Sequence, residues 1–168
     1  MTTRRATLAD AAAVAALHLA SWRSAYRPFL PPGVLDALSL DAHTATWERR
    51  AGIPRVEILL EEERGTLIAF CAHGPSGDED AGTETWEIKN LHVDPARRRT
   101  GSGGRLFDLA VAHARREGAR ALTLWVVEAN ASARAFYQKK GMAPDGARDT
   151  HTLGADGSMP VVRYRLVL

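Results

Sequence analysis

Two arginines and two glycines stand close together in the segment Arg98–Gly103, a composition that suits the binding of an anion. Glycine has no Cβ atom, so a phosphate can come close to the backbone N–H groups of such a loop. A helix that starts directly after the loop adds the partial positive charge of its N-terminus, and Arg98 and Arg99 can add bidentate hydrogen bonds. A diphosphate fits these features. A basic turn that only caps the helix would have the same composition, so the loop alone leaves both interpretations open.

The common nucleotide-binding motifs are absent from the sequence. There is no G-x-x-x-x-G-K-[ST] pattern, so a nucleoside triphosphate P-loop is unsupported. The G-x-G-x-x-G dinucleotide pattern is incomplete, because Leu106 stands where the third glycine belongs. Further along, the segment Asn130–Met142 predicts a helix that is capped by Asn130 and ended by Gly141.

Both segments resemble those of one protein family. Arg98-x-x-Gly101-x-Gly103 is similar to the [QR]-x-x-G-x-[GA] signature of the GNAT superfamily of acetyltransferases, and the flanks Leu91–Pro95 and Leu106–Phe107 are similar to that family's flanks. Because the glycines at 101 and 103 are intact, a domain of this kind that has lost its cofactor is disfavoured.

The second segment strengthens the resemblance. Asn130–Met142 resembles the N-x-x-A-x-x-F-Y-x-x-x-G-F segment of the GNAT superfamily, with Met142 in place of the usual aromatic residue. Near the N-terminus, Ser21–Arg27 looks like a segment that is common in one bacterial branch of the family. The resemblance covers essentially the whole chain and is weakest in the N-terminal third.

The resemblance implies an α/β domain of the acyl-CoA N-acyltransferase fold, with a mixed sheet of about seven strands and four helices. It implies acetyl-CoA as co-substrate, no metal, and an amine-bearing acceptor, which is a small molecule, a peptide or a protein. The positions implied to contact the cofactor are Leu91, His92, Val93, Arg98, Arg99, Thr100, Gly101, Ser102, Gly103, Gly104, Asn130, Ala133, Phe136 and Tyr137. A non-catalytic domain of the same fold that binds acyl-CoA as a sensor is the alternative function.

Two catalytic roles follow from the resemblance. Tyr137 is the implied acid beside the leaving thiolate, and Glu87 is the candidate base, with an ordered water as the alternative. Glu87 also fits a solvated carboxylate paired with Lys89, and Glu84 and His92 are lesser candidates for the base. Strand alternation does not decide, because neither face of the strand is cleanly apolar and a bulge would shift its phase.

The acceptor side is less clearly marked. Trp22 and Tyr26 are the aromatic residues predicted to line the acceptor pocket, and Glu84 is predicted to attract a cationic amine together with the acidic loop 78–80. Phe29 and Trp47 lie in the same part of the chain, and ordinary core packing explains all four aromatic residues equally well. The sequence does not identify the substrate.

The pattern of apolar residues and turns predicts the elements that must position these side chains. Strand and helix alternate in the middle of the chain, with hairpins outside, which favours a mixed sheet. The predicted strands are Thr3–Ala6, Val56–Leu60, Thr66–Ala72, Thr85–Val93, Ala121–Val127, Arg148–Leu153 and Val161–Val167, the last two joined by a turn at Gly154–Gly157. The predicted helices are Asp10–Ser24, Pro32–Arg50, Gly104–Arg116 and Ala131–Lys140, and the Gly74–Gly82 loop is expected to be mobile.

Composition limits the remaining possibilities. The 168 residues suit one domain, 1–168, and a net charge of +2 gives no support for nucleic-acid binding. The single cysteine, Cys71, excludes an intramolecular disulfide, and the six histidines are scattered without zinc-ligand spacing, so we expect no metal. The apolar stretch Ala11–Leu17 is too short to span a membrane, so we expect a cytoplasmic protein that is a monomer or a homodimer.

Overall fold

A mixed sheet forms the centre of the molecule, in a computed structural model that describes residues 1–153 and 157–168. Within these residues the sheet has seven strands, the number predicted, and their order is β1-β2-β3-β4-β5-β7-β6. Only β4 and β5 run parallel to each other among these neighbours. The strands are β1 (Thr2–Arg5), β2 (Glu57–Glu63), β3 (Thr66–Pro75), β4 (Thr85–Val93), β5 (Ala121–Val127), β6 (Ala143–Leu153) and β7 (Gly157–Val167).

The helices in the described residues number five, one more than predicted. They are α1 (Ala11–Tyr26), α2 (Pro32–Asp36), α3 (Leu40–Ala51), α4 (Ser102–Arg116) and α5 (Ala131–Lys139). The single helical region predicted for Pro32–Arg50 is wrong, because the chain becomes extended at Ser39, with φ −85° and ψ 130°. The hydroxyl of Ser39 accepts a hydrogen bond from the N–H of Ala42 at 3.3 Å and so begins a new helix.

The helices lie in two layers on the two faces of the sheet. Helices α1 and α3 pack on β2 and β3 around the buried Trp47 and Phe70. Helix α4 packs on the opposite face, where Phe107 joins the core formed by β3, β4, β5 and β7, and part of α5 packs against this core. Strand β4 therefore lies between the two layers.

A bulge in β4 changes which residues face each layer. Ala72 of β3 pairs with Asn90, but the next residue, His73, pairs with Ile88, so Lys89 is an extra residue in β4. Before the bulge, Ile88 faces the α4 layer, whereas after it Leu91 packs against that layer instead. The irregular alternation in the sequence thus has a structural cause.

Strands β4 and β5 separate after a short stretch of pairing. Thr85, Trp86 and Glu87 pair with the first three residues of β5, up to Thr123, and no later pair joins the two strands in the described residues. This separation opens a cleft beside the second half of β4.

Two end regions complete the fold. The final hairpin is longer than predicted, since β6 begins at Ala143 and β7 at Gly157, and residues 154–156 of the predicted Gly154–Gly157 turn lie outside the described residues. In residues 1–153 and 157–168, no helix has both the length and the apolar character that crossing a bilayer requires.

Candidate active site

The loop before α4 presents a continuous row of free backbone donors. In the described part of the chain, no N–H from Arg98 to Gly104 donates a hydrogen bond to the protein. Positive φ angles of 66° at Arg99 and 89° at Gly101 turn the backbone as it enters the helix. Because these donors are unused within the protein and lead into a helix N-terminus, they form a site for an anion.

A buried carboxylate from β2 holds this loop in place. Glu61 is fully buried, and it accepts a hydrogen bond from the Ser102 hydroxyl at 3.1 Å. Arg105 forms an ion pair with the same carboxylate and donates from Nη1 to the carbonyl oxygen of Thr100 at 3.3 Å. Glu61 thus fixes the first turn of α4 while leaving its backbone donors unused.

Glycines let three elements meet at the cleft. A Cβ atom at Gly103 would lie 3.5 Å from Cγ2 of Val93 and 3.9 Å from Cζ of Phe136, so the end of β4, the start of α4 and the face of α5 adjoin here. A Cβ atom at Gly101 would lie only 2.9 Å from Nη1 of Arg105. Leu91 and Ala133 pack against the same core as Val93 and Phe136.

Asn130 and Tyr137 bring α5 to the cleft. The side-chain oxygen of Asn130 accepts the N–H of Ala133 at 3.1 Å, which confirms the predicted cap and leaves the amide NH₂ free to donate. Tyr137 is half-buried between the Phe107 and Phe136 rings, at centroid distances of 6.4 and 5.2 Å. Burial raises the pKa of the Tyr137 hydroxyl, so this group is protonated at neutral pH.

On the opposite face of β4, three histidines contact Trp22 and a fourth, His92, contacts one of them, His18; we refer to His18, Trp22, His43, His92 and His151 as the histidine–tryptophan cluster. The His18 ring lies 4.6 Å from both the Trp22 and His92 rings and 5.6 Å from the His43 ring. The Trp22 ring lies 5.6 Å from the His151 ring. The cluster joins residues of α1, α3, β4 and β6.

Burial keeps the centre of the histidine–tryptophan cluster uncharged. It lowers the pKa of His18 to about 2 and that of His92 to about 3, with nearby positive charge as a smaller cause. The Nδ1 atom of His92 lies 3.0 Å from the hydroxyl oxygen of Ser21. Tyr26 continues the aromatic surface, with its ring 5.9 Å from that of Trp22.

The other predicted acceptor residues differ in their relation to this cluster, and Trp47 supports it from the core, where its Nε1–H donates to Nδ1 of His18 at 3.3 Å. Trp47 is only 1% exposed and belongs to the core, whereas Phe29 is exposed at the surface. Glu84 precedes the first residue of β4, while the cluster adjoins its last residues, and the Glu84 carboxylate pairs with Arg120 at 3.0 Å. The structure therefore does not bring Glu84 to the acceptor side.

The acidic loop 78–80 forms ion pairs with Arg163. Nη1 of Arg163 lies 3.0 Å from Oδ2 of Asp78 and 2.6 Å from Oδ1 of Asp80. These contacts anchor a loop that was expected to be mobile, and they offset part of the negative charge that was expected to attract an amine.

Glu87 occupies the base of the cleft. It forms the last pair between β4 and β5, opposite Thr123, and its carboxylate lies 2.7 Å from Nζ of Lys89. Its side chain is 15% exposed. Glu87 thus combines both sequence-based interpretations, since it has the predicted lysine partner and also lies where the two strands begin to separate.

Comparison with known proteins decides the family. The sequence matches the model of the acetyltransferase (GNAT) family over residues 19–142. The chain belongs to the GNAT family. It is 32% identical over 145 residues to the uncharacterized N-acetyltransferase YhfO of Bacillus subtilis (strain 168), covering 86% of this chain and 91% of that protein. It is 30% identical over 166 residues to the probable N-acetyltransferase Rv2775 of Mycobacterium tuberculosis, covering 97% and 91%.

Solved structures show the same fold. The GCN5-related N-acetyltransferase of Rhodopseudomonas palustris superposes with a TM-score of 0.79 at 21% identity, over 99% of this chain and 95% of that one. The acetyltransferase YncA of Salmonella typhimurium, solved with acetyl-CoA, has a TM-score of 0.74 at 21% identity and covers 100% and 94%. This GNAT protein is an acetyltransferase, and acetyl-CoA is the co-substrate that fits its family.

Sequence reasoning missed several residues of the candidate site. Glu61 and Arg105 come from distant segments, and nothing in their local sequence marks them as partners. His18 could have been found, because it precedes Trp22 by one helical turn and therefore shares its face of α1. His43 and His151 reach the cluster only through the packing of α3 and β6, for which the sequence carries no local signal.

Proposed function

We propose that this GNAT enzyme transfers the acetyl group of acetyl-CoA directly to a primary amine, with donor and acceptor bound together. The observation that carries the proposal is the row of unused N–H donors from Arg98 to Gly104, at the open end of the β4–β5 cleft. Such a row complements the charge of a pyrophosphate. The acetyl-CoA complex of YncA, which has the same fold, supports this ligand.

The proposed binding of the donor uses both sides of the cleft. The N–H groups of the loop and the Arg98 and Arg99 guanidinium groups hold the pyrophosphate. The backbone of β4 at Leu91–Val93 is unpaired on the β5 side and holds the pantetheine arm, to which the free amide of Asn130 donates a hydrogen bond. When bound, acetyl-CoA supplies a thioester whose carbonyl carbon accepts the amine.

Tyr137 is the proposed general acid. As the amine nitrogen bonds to the carbonyl carbon, the carbon–sulfur bond breaks, and Tyr137 gives its proton to the departing sulfur. Its buried hydroxyl is protonated at neutral pH, as this role requires. A backbone N–H of the unpaired part of β4 is positioned to stabilise the negative charge that develops on the carbonyl oxygen.

The amine must lose a proton before or during attack, since its ordinary pKa is about 10. Glu87 and an ordered water are the two acceptors for this proton, and Glu87→Gln distinguishes them. If Glu87 is the base, kcat falls about 100-fold at neutral pH and recovers as the pH rises toward the pKa of the amine. If water is the base, kcat stays within about threefold of the original value.

The histidine–tryptophan cluster and Tyr26 form the proposed acceptor wall. The pKa values of His18 and His92 leave the centre of this wall uncharged, and aromatic rings face the acceptor. Such a surface binds an apolar or aromatic group attached to the amine better than a polycation. The acceptor is therefore proposed to be a primary amine, of a small molecule, peptide or protein, that carries an apolar neighbour.

A panel of amines tests the function directly. The purified chain is incubated with acetyl-CoA and each amine, and free thiol release is followed with and without the amine. Release that depends on an aromatic or apolar amine, above release with spermidine or glycine, supports the proposal. A rise in melting temperature with acetyl-CoA but no amine-dependent release across a panel of small amines, peptides and proteins would instead indicate a sensor.

A further inference from the structure

A second group of ionisable side chains lies on the α4 face of the sheet, away from the Arg98–Gly104 loop. Glu57 at the start of β2, His73 on β3 and His113 on α4 converge below the C-terminal half of α4. His113 follows the first residue of that helix, Ser102, by eleven positions, which corresponds to about 16 Å along the helix axis. Sequence spacing gave no sign of this group, because its members come from three separate elements.

Three lone-pair atoms crowd together in this group. Nδ1 of His113 lies 2.7 Å from Oε2 of Glu57 and 2.9 Å from Nε2 of His73, and the Oε2 and Nε2 atoms lie 3.6 Å apart. Nδ1 of His113 carries at most one proton, so it cannot make a full hydrogen bond to both neighbours. A cation between the three atoms would satisfy all of them at once.

The geometry of the three atoms is close to that of a zinc site. Zinc–nitrogen and zinc–oxygen bonds of about 2.0–2.1 Å in a tetrahedron separate neighbouring ligand atoms by roughly 3.3 Å. The observed separations of 2.7, 2.9 and 3.6 Å bracket that value, so small side-chain rotations suffice. Two imidazoles and one carboxylate suit Zn²⁺ or Co²⁺ better than Mg²⁺ or Ca²⁺, which prefer oxygen ligands.

The side chains of Glu57 and His113 have charged neighbours of the kind that commonly orient metal ligands. Nε2 of His113 lies 3.8 Å from the Glu117 carboxylate, which can orient the ring, and Arg5 pairs with the second oxygen of Glu57. His73 is completely buried and so is held rigidly by its surroundings. The Glu57 and His113 side chains are 11% and 14% exposed, and they border a cleft of about 370 Å³ that also reaches Arg55.

We propose that Glu57, His73 and His113 bind a divalent transition-metal ion, with Zn²⁺ as the preferred ion and a water or an anion from the cleft as the fourth ligand. The two arginines at the cleft, Arg5 and Arg55, favour an anion in that fourth position. The ion joins β2, β3 and α4 and stabilises the folded chain. This inference is independent of the acetyl-transfer mechanism.

Metal titration of the tag-free chain tests the site. Zn²⁺ is expected to bind with a stoichiometry of one and to raise the melting temperature, because the unfolded chain lacks the assembled ligands. Co²⁺ is expected to give the visible absorption of a tetrahedral complex, and Zn²⁺ is expected to bleach it. Neither readout depends on turnover.

Matched variants assign the ligands. His113→Gln and Glu57→Gln are each expected to weaken Zn²⁺ binding by more than about 100-fold, and Glu117→Gln by about 10-fold. His151→Gln removes an exposed histidine of the other cluster and is expected to leave binding unchanged. A melting curve recorded without metal verifies that each variant is folded. His113 is the most exposed of the three ligands, so its substitution is expected to disturb packing least.

The possible outcomes decide the proposal. One bound Zn²⁺ that is lost in His113→Gln and Glu57→Gln but kept in His151→Gln supports it. Binding of equal strength in all variants would show adventitious association, and no binding at millimolar Zn²⁺ would show a hydrogen-bonded network only. Either of the last two results overturns the proposal.

Discussion

The two sides of the β4–β5 cleft are built in different ways. On the donor side, backbone N–H groups of one continuous segment, Arg98–Gly104, form the proposed binding surface. On the acceptor side, the surface consists of side chains from four separate elements, gathered around Trp22. A backbone site depends on local conformation, which neighbouring residues determine, whereas a side-chain site depends on the packing of the whole domain. The first can stay constant in a family while the second changes with the acceptor.

Tyr137 and Tyr26 offer the sharpest contrast between the two sides. Tyr137→Phe is expected to lower kcat by about 100-fold while the acetyl-CoA Kd stays constant, because it removes only the proton for the leaving sulfur. Tyr26→Phe, on the acceptor side, is expected to change the KM for the amine and leave kcat within a few-fold. Steady-state kinetics and calorimetric binding measure both. Equal kcat for Tyr137→Phe and the original chain would remove the acid role.

Substitution of Gly101 tests whether acetyl-CoA binding depends on the backbone conformation of the loop. Gly101→Val is expected to weaken acetyl-CoA binding about 30-fold, because losing a charge-assisted hydrogen bond costs about 2 kcal/mol. Its φ is 89°, and its Cβ atom would meet Arg105 at 2.9 Å. Gly65→Val is the control, since Gly65 has φ 79° and open space around it, in the β2–β3 turn.

Both glycine variants are expected to lose about 1–2 kcal/mol of stability from the left-handed backbone, and only Gly101→Val is expected to lose affinity. Calorimetric titration with acetyl-CoA measures the affinity, and urea unfolding measures the stability. If both variants bind acetyl-CoA as the original chain does, the loop is not the pyrophosphate site.

The free energy of unfolding is expected to depend on pH because two histidines of the acceptor side are buried. The folded pKa values of His18 and His92, about 2 and about 3, lie below the unfolded value near 6.5. Between those limits the unfolded chain binds more protons, so the free energy of unfolding decreases as the pH falls. From pH 7.5 to 5.5 each histidine is expected to contribute a loss of about 1 kcal/mol.

Urea unfolding of the original chain and of His92→Asn at these two pH values measures this effect. Asparagine can keep a hydrogen bond to Ser21 but does not titrate, so the variant is expected to lose about 1 kcal/mol less on acidification. An identical pH dependence in both chains would mean that His92 is not held neutral by burial.

The sequence predicted the donor side of the fold well. The strand Ala121–Val127 and the cap at Asn130 appear as expected, because each has a local signal: an apolar run between charged residues or a polar residue before a helix. The strand Thr85–Val93 also has its predicted bounds, although a bulge interrupts its alternation. The hairpin of β2 and β3 also appears, but the charged stretch Glu61–Gly65 is not all turn, because β2 continues to Glu63 and Glu61 is buried. The GNAT resemblance rests on the neighbouring segments Arg98–Gly103 and Asn130–Met142.

The acceptor side could not be predicted to the same depth. Six histidines that look scattered in the sequence form two groups in the structure, one around Trp22 and one around Glu57. The break between α2 and α3 was missed because the apolar pattern continues across Ser39, whose role as a cap becomes visible only in its extended backbone. Glu84 was placed on the acceptor side by sequence proximity, while the direction of β4 carries it to the other end.

Because β4 contains an extra residue, the number of residues at this point decides which face of the sheet the later side chains occupy. Lys89 is the inserted residue. Exchanging its side chain would remove the partner of Glu87, but deleting the residue would rotate every later position of the strand by half a turn. Leu91 and Val93 would then point to the α1 layer, and His92 would enter the apolar core under α4. A homologous chain can therefore vary widely in the residues of this strand, yet an alignment gap at position 89 would mark a different enzyme.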